Sequence, residues 1–314
     1  MANYTTHRIS KIWLPSTFFI SLILTIISLI FFHQTSPIAL QKILSLKILD
    51  EEVFAFEDNF KIIEKKEILS LLDSIPSRRV VKNSWFVNPK SKYEDTILNG
   101  NGNCSNLAFG VMYSFDQSKH QAAIVHFLRK DFKFLYGNGH SLLLINLGEN
   151  NALLDFLDRG NTLRNGHLIN IKKLNFNESD SLDKQIYSNL KVSSDEHFNI
   201  DYLSQVTFAL IPQKEVTQYF KFIDAIYVHV GLVYLEKLFF DTIALAFGKY
   251  PGTYVTENFF WETYKNAKLF TFFSYLFLLF FHLTYVTFIL MIIKKIYKIS
   301  NYFKLNFYHG HNTK

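Results

Sequence analysis

The stretch "GNGNCSNLAFGVMYSF", residues 100–115, holds the only cysteine among 314 residues. Downstream stand the two residue types that turn a thiol into a working nucleophile. His140 enters the apolar run "HSLLLIN", and Asp155 sits inside "ALLDFL". In acyl transfer a thiolate needs an imidazole to protonate the leaving group, and the imidazole needs an acceptor that orients it. From Cys104, the apolar residues Leu107, Ala108, Val111, Met112 and Phe115 recur at intervals of three and four, which predicts a helix with one buried face. Asn103 is then a candidate cap, and Cys104 lies at, or one residue from, its N-terminus. There the helix dipole and unpaired N–H groups favour thiolate and can also receive an oxyanion.

Each of these residues taken alone has a plainer reading. A lone cysteine is most often a small buried hydrophobe, a lone histidine a hydrogen-bonded core residue, and a carboxylate in an apolar run a group that is costly unless paired. Their weight is joint. His120, His126 and His167 are also within reach in sequence, and His140 is the best placed because "GNGH" brings it from a flexible loop into a strand. A hairpin symmetric about "GENN" sets His140 opposite residue 159, so Asp155 needs a tilt or bulge to meet it, and Asp158 is the reserve third member. Trp85 and Asn103, with Gly102, which lets a backbone approach closely, are the candidate substrate-binding residues.

The elements that must position these groups follow from periodicity. Residues 45–73 alternate apolar and charged residues at helical spacing, one or two amphipathic helices, before "SIPSRR" breaks the pattern. Residues 83–103 read as loop. Short strands are expected at 122–127 and 132–136, a hairpin buried on both faces at 140–157 with its turn at "LGENN", and further strands at 168–174 and 206–211. "NESDSLDKQ" reads as a surface loop. Residues 220–247, apolar but punctuated by Asp224, Glu236, Lys237 and Asp241, read as a buried or membrane-lying helix. Helix followed by sheet makes the fold class α+β.

Cysteine at a helix N-terminus, then histidine and aspartate on successive strands, resembles the transglutaminase-like domain of the papain-like cysteine enzymes. The resemblance covers residues 85–160, and its most specific piece is "GNCSNLA", Gly102 to Ala108, against the family's G-x-C-x-x-x-A. It implies a helix carrying cysteine packed on an antiparallel sheet, with Cys104 as nucleophile, His140 as general acid/base and Asp155 as orienter of the ring. Leu142 stands where the family carries an aromatic residue, and Phe156 where it carries proline.

The ends of the chain have another character. Residues 14–32 and 269–293 carry no charge and are long enough to cross a hydrocarbon core of about 30 Å. The first reads as a signal anchor, since its apolar part exceeds that of a cleaved signal peptide and no A-x-A site follows. Lys294, Lys295, Lys298 and Lys304 beyond the second span put the C-terminus in the cytoplasm, and two spans put the N-terminus there too. The expected organisation is a cytoplasmic start (1–13), a span (14–32), a helical lead-in (33–82), a transglutaminase-like core (83–215), a helical membrane-proximal segment (216–268), a span (269–293) and a basic cytoplasmic tail (294–314).

Mean hydropathy of +0.08 and 49% hydrophobic residues exclude a disordered chain. The net charge of +6 is explained in part by lysines flanking the spans, and no basic, aromatic-interleaved stripe points to nucleic acid. One cysteine permits no intrachain disulfide, so an exterior domain must be held by its core. His282 falls within the second span, where a neutral ring bonded to a neighbouring helix is expected. His309 and His311 in "HGH" have no further ligand nearby.

The expected function is a membrane-anchored thiol enzyme acting on amide bonds of a protein or peptide, with water or a lysine amine resolving the thioester, and with no metal or organic cofactor. The alternative is a catalytically inactive scaffold that binds a peptide or an envelope-assembly partner in the same cleft.

Overall fold

The computed structural model describes residues 2–35, 39–49, 65–74, 78–79, 96–98, 103–114, 122–129, 140–146, 151–158, 162–171, 184, 186, 204–230 and 237–310. They form two compact units, one of Met1–Pro37 with Leu269–Lys314 and one of Ile38–Lys268.

The first unit is a pair of helices, α1 (Ala2–Thr35) and, last in the chain, α8 (Lys268–Gly310). The stretches Trp13–Phe32 and Lys268–Ser300 are long and apolar enough to cross a bilayer. Phe31 meets Phe273 with ring centroids 4.4 Å apart, and Phe18 meets Phe288 at 6.0 Å. Between them runs a line of small hydroxyls. Thr284 Oγ1 donates to Ser21 Oγ at 2.9 Å, Thr25 Oγ1 to Ser21 O at 2.8 Å and Ser28 Oγ to Leu24 O at 2.9 Å. Small residues let the helices approach, and these three hydroxyls find partners within the pair. Phe19, Ile20, Ile23, Leu279 and Phe288 face outward. His282 differs from expectation: its Nδ1–H donates to Leu278 O, one turn back on its own helix, at 2.8 Å. Both helices also outrun their expected spans, α8 continuing unbroken through most of the basic tail.

The second unit is mixed α and β. Its helices are α2 (Ala39–Ser45), α3 (Lys65–Ser74), α4 (Cys104–Ser114), α5 (Gln213–Val230), α6 (Lys237–Ala246) and α7 (Glu257–Asn266). Its strands are β1 (Leu46–Ile48), β2 (Arg78–Arg79), β3 (Ala122–Arg129), β4 (Ser141–Asn146), β5 (Asn151–Asp158), β6 (Thr162–Ile171), β7 (Val206–Pro212) and β8 (Thr253–Val255). They make one sheet in the order β1-β8-β7-β3-β4-β5-β6-β2, antiparallel except for the parallel β1–β8 pair.

The centre of the sheet is buried on both faces, as near-continuous apolar runs require. Every residue of β7 is buried, as are residues 141–145 of β4 and 151–155 of β5. On one face Ile124, Leu143, Ile145, Leu154 and Ile211 pack against Leu107, Val111 and Met112 of α4 and Val216, Phe220 and Ile223 of α5, with Phe240 and Ala244 of α6 closing the layer. The intervals of three and four in α4 thus face the sheet.

Three expectations need correction. Residues 45–73 are not helical throughout, because Leu46–Ile48 is a strand paired with Thr253–Val255. Residues 220–247 are not one helix: α5 ends at Val230 and α6 begins at Lys237, and Phe220, Ile223, Phe240 and Ala244 are buried in the core. The strand expected at 168–174 begins earlier, at Thr162, where β6 follows β5. Because β1, β2 and β8 join the central strands, the stretches 33–82, 83–215 and 216–268 contribute to one sheet. The strand expected at 132–136 and nearly all of "NESDSLDKQ" lie outside the described residues.

The edge formed by β1 and β8 is fastened by polar groups. Lys47 Nζ donates to Glu215 Oε1 at 2.9 Å, and Tyr254 OH donates to the same oxygen at 2.6 Å. A Cβ at Gly252 would meet the Lys47 Cδ at 2.7 Å and push the lysine stem aside. Tyr264 OH of α7 donates to Ile43 O of α2 at 3.2 Å. Deeper, the buried Asp241 carboxylate of α6 accepts from Tyr219 OH at 2.5 Å and from Gln41 Nε2 at 2.9 Å.

Candidate active site

Cys104 is the first residue of α4. Asn103 caps it: the Asn106 N–H donates to Asn103 Oδ1 at 3.0 Å, and the Leu107 N–H to Asn103 O at 3.0 Å. This satisfies one of the end's orphan donors and leaves the first-turn amides beside the sulfur. The thiol is free and partly exposed, while Asp155 is fully buried and His140 is 8% exposed.

The imidazole joins the other two groups. His140 Nε2–H donates to Asp155 Oδ1 at 2.8 Å. With that nitrogen committed, Nδ1 is the one left for the thiol, and the His140 ring and the Cys104 sulfur each shift the other's pKa. The ladder of β4 and β5 runs from Leu143↔Leu154 to Asn146↔Asn151. Continued outward, it places His140 across from Leu157, two residues beyond Asp155 and on the same side of the pleat. The two side chains therefore meet along a diagonal, a reach that long side chains cover. A bulge between Asp155 and Leu157 on the β6 side accompanies this arrangement.

The charges favour an ion pair. Burial pushes the Cys104 thiol up, but the His140 ring and then the backbone N–H groups of Ser141 and Ser105 outweigh it, and the net direction is downward. Burial pushes His140 down, but the Asp155 carboxylate and the sulfur raise it to about 9. Both shifts run in the direction that favours a thiolate beside an imidazolium. Ser141 has its amide free for the sulfur because β4 pairs with β5 only from Leu143 onward.

Of the other residues singled out in the sequence, Trp85, Gly102, His120 and His311 lie outside the described residues. Asp158 and His167 sit in β5 and β6, paired with Thr162 and Asp155 respectively, and His309 is in α8; their side chains lie outside the described residues. Leu142 is buried within β4, opposite Val125.

Sequence reasoning did not find Ser105, Ser141 or the position of His126. Ser141 Oγ and His126 Nδ1 share a hydrogen bond of 2.6 Å, and the His126 ring lies 6.4 Å from that of Phe109 on α4. The available signal was alternation: two strands paired antiparallel bring a residue after His140 across from one in "AAIVHF", although the register that selects His126 is not written in either strand.

Compared with family models, with curated proteins and with solved structures, the chain matches none of them.

Proposed function

We propose that this protein is a membrane-anchored, transglutaminase-like cysteine enzyme that cleaves or transfers amide bonds of a protein or peptide. The observation that carries the reading is the His140–Asp155 hydrogen bond at 2.8 Å, with the same imidazole paired to a thiol at a capped helix N-terminus.

In this reading the Cys104 thiolate attacks the carbonyl carbon of an amide. A C–S bond forms as the carbonyl electrons move to oxygen, and first-turn amides of α4 receive that oxyanion. On collapse the C–N bond breaks, and the His140 imidazolium passes its proton to the departing ammonia or amine. The neutral imidazole then takes a proton from water or from an incoming amine, which attacks the thioester and releases Cys104. Asp155 keeps the ring oriented throughout. The two apolar helices anchor the domain, with both chain ends on the cytoplasmic side, as the lysines after the second span favour.

The test uses the single cysteine. Alkylation of the full chain in mild detergent, followed across pH, reports Cys104 alone. The wild-type thiol is expected to react at lower pH than an ordinary thiol, whereas His140→Ala shifts the profile up toward the ordinary thiol value of about 8.5. A wild-type thiol that labels only above that pH, and indifferently to His140, leaves the peptide-binding scaffold as the function.

A further inference from the structure

Ser141 occupies an unusual place. It follows His140 in the chain, its backbone N–H is among the groups that pull the Cys104 thiol's pKa down, and its hydroxyl is bound 2.6 Å from His126 Nδ1. His126 and Ser141 are direct cross-strand partners, while the neighbouring pair is held by the Phe127 N–H donating to His140 O at 2.9 Å. The His126 ring also lies against Phe109, on the helix whose first residue is Cys104. One imidazole therefore touches both the strand and the helix that must be held in register for the sulfur to meet its donors.

We propose that His126 and Ser141 form a positioning pair, in which the His126 ring fixes the Ser141 hydroxyl so that the Ser141 amide stays aimed at the Cys104 sulfur. It deepens the reading of Cys104 as an activated nucleophile and rests on it. Neither residue touches substrate in this assignment. The pair suits a fixed role because His126 stays neutral: burial and then the positive charges of Lys42 and His140 push its pKa down to about 3. Lys42, on α2, is itself lowered to about 8 by burial. A neutral ring keeps one hydrogen-bonding state over the range in which a thiolate–imidazolium pair exists, so its hold on Ser141 does not change with pH there. Among the described residues, the titratable groups that act on the sulfur and this pair are His140, Asp155, His126 and Lys42.

Alkylation profiles of the full chain separate this inference from the reading beneath it. Ser141→Ala and His126→Leu remove the shared hydrogen bond and are expected to shift the Cys104 profile up by about one pH unit, which is about a tenfold loss of thiolate. Ser141→Thr retains a hydroxyl, and His126→Asn offers an amide group near the position of Nδ1; both are expected to retain the wild-type profile. Thermal melting of each variant shows that it is folded, and a purely structural role would move the melt without moving the profile. Unchanged profiles in Ser141→Ala and His126→Leu, with a wild-type thiol that still responds to His140→Ala, overturn the positioning pair and leave the nucleophile. A wild-type thiol that behaves as an ordinary one overturns both.

Discussion

At the scale of single residues, the site is a set of compensations. Cys104, His140 and Asp155 are each costly where they sit, and each is tolerated because of the other two. Asp155→Asn removes the charge that raises His140 to about 9, so the imidazolium is lost at lower pH and the thiolate loses its partner. For the proposed acyl transfer, the expected result is a fall of about 10²-fold or more, with the alkaline limb of the pH–rate profile moving to lower pH. His126 makes a prediction of opposite kind. Its folded pKa is depressed to about 3 while an unfolded histidine titrates near 6.5. The unfolded chain therefore binds the extra proton between those values, and stability falls as pH drops through that window. Melting temperature measured from pH 7 to pH 4 should decline less steeply in His126→Asn than in wild type. Cys104, His140 and Asp155 were legible because residue type, helical period and strand order each pointed to one of them. His126 was legible only as one histidine among several, since what distinguishes it is a partner fifteen positions away in sequence and directly opposite in space.

At the scale of elements, the thiol depends on how α4 begins. Asn103→Ala removes the acceptor for the Asn106 N–H and should cost about 1 kcal/mol, read as a lower melting temperature. It should also raise the pH at which Cys104 alkylates, because fraying of the first turn takes its amides from the sulfur. The β4–β5 hairpin supplies the opposite wall. Leu154 is fully buried in the core shared by the sheet, α4 and α5, and Leu154→Ala should destabilise the fold by about 2–5 kcal/mol without changing the thiol profile of the molecules that remain folded. Helix α4, its cap and the hairpin were readable because each has a local signal: period, an Asn before the first turn, two apolar runs around a polar turn. Strands β1 and β8 were not. Three residues each are too short for any period to register, and their pairing with one another is a tertiary fact.

At the scale of the whole molecule, the two units solve different solvent problems. The helices of the first unit bind hydroxyls such as Thr25 and Ser28 to their own carbonyls and turn apolar side chains outward, whereas the second turns them inward around one sheet. If the domain lies outside the cytoplasm, as proposed, a membrane-impermeant maleimide should label Cys104 on intact cells without prior permeabilisation. Labelling that requires permeabilisation would reverse the orientation while leaving the site chemistry intact. The overall division was legible in hydropathy alone, and the closure of the sheet by segments next to both apolar stretches was not.

That closure has a consequence in time. Lys47 and Tyr254, side by side on β1 and β8, are 207 positions apart. At a synthesis rate of about 5–20 residues per second, β1 waits about ten to forty seconds on the ribosome for β8, its strand neighbour among the described residues. Until β8 emerges, β7, buried along its whole length in the finished fold, lacks the neighbour that meets it at Leu210. The nascent chain passes through an interval in which it is adhesive, and slowing elongation between β7 and β8 should increase its capture by chaperones or its loss to aggregation.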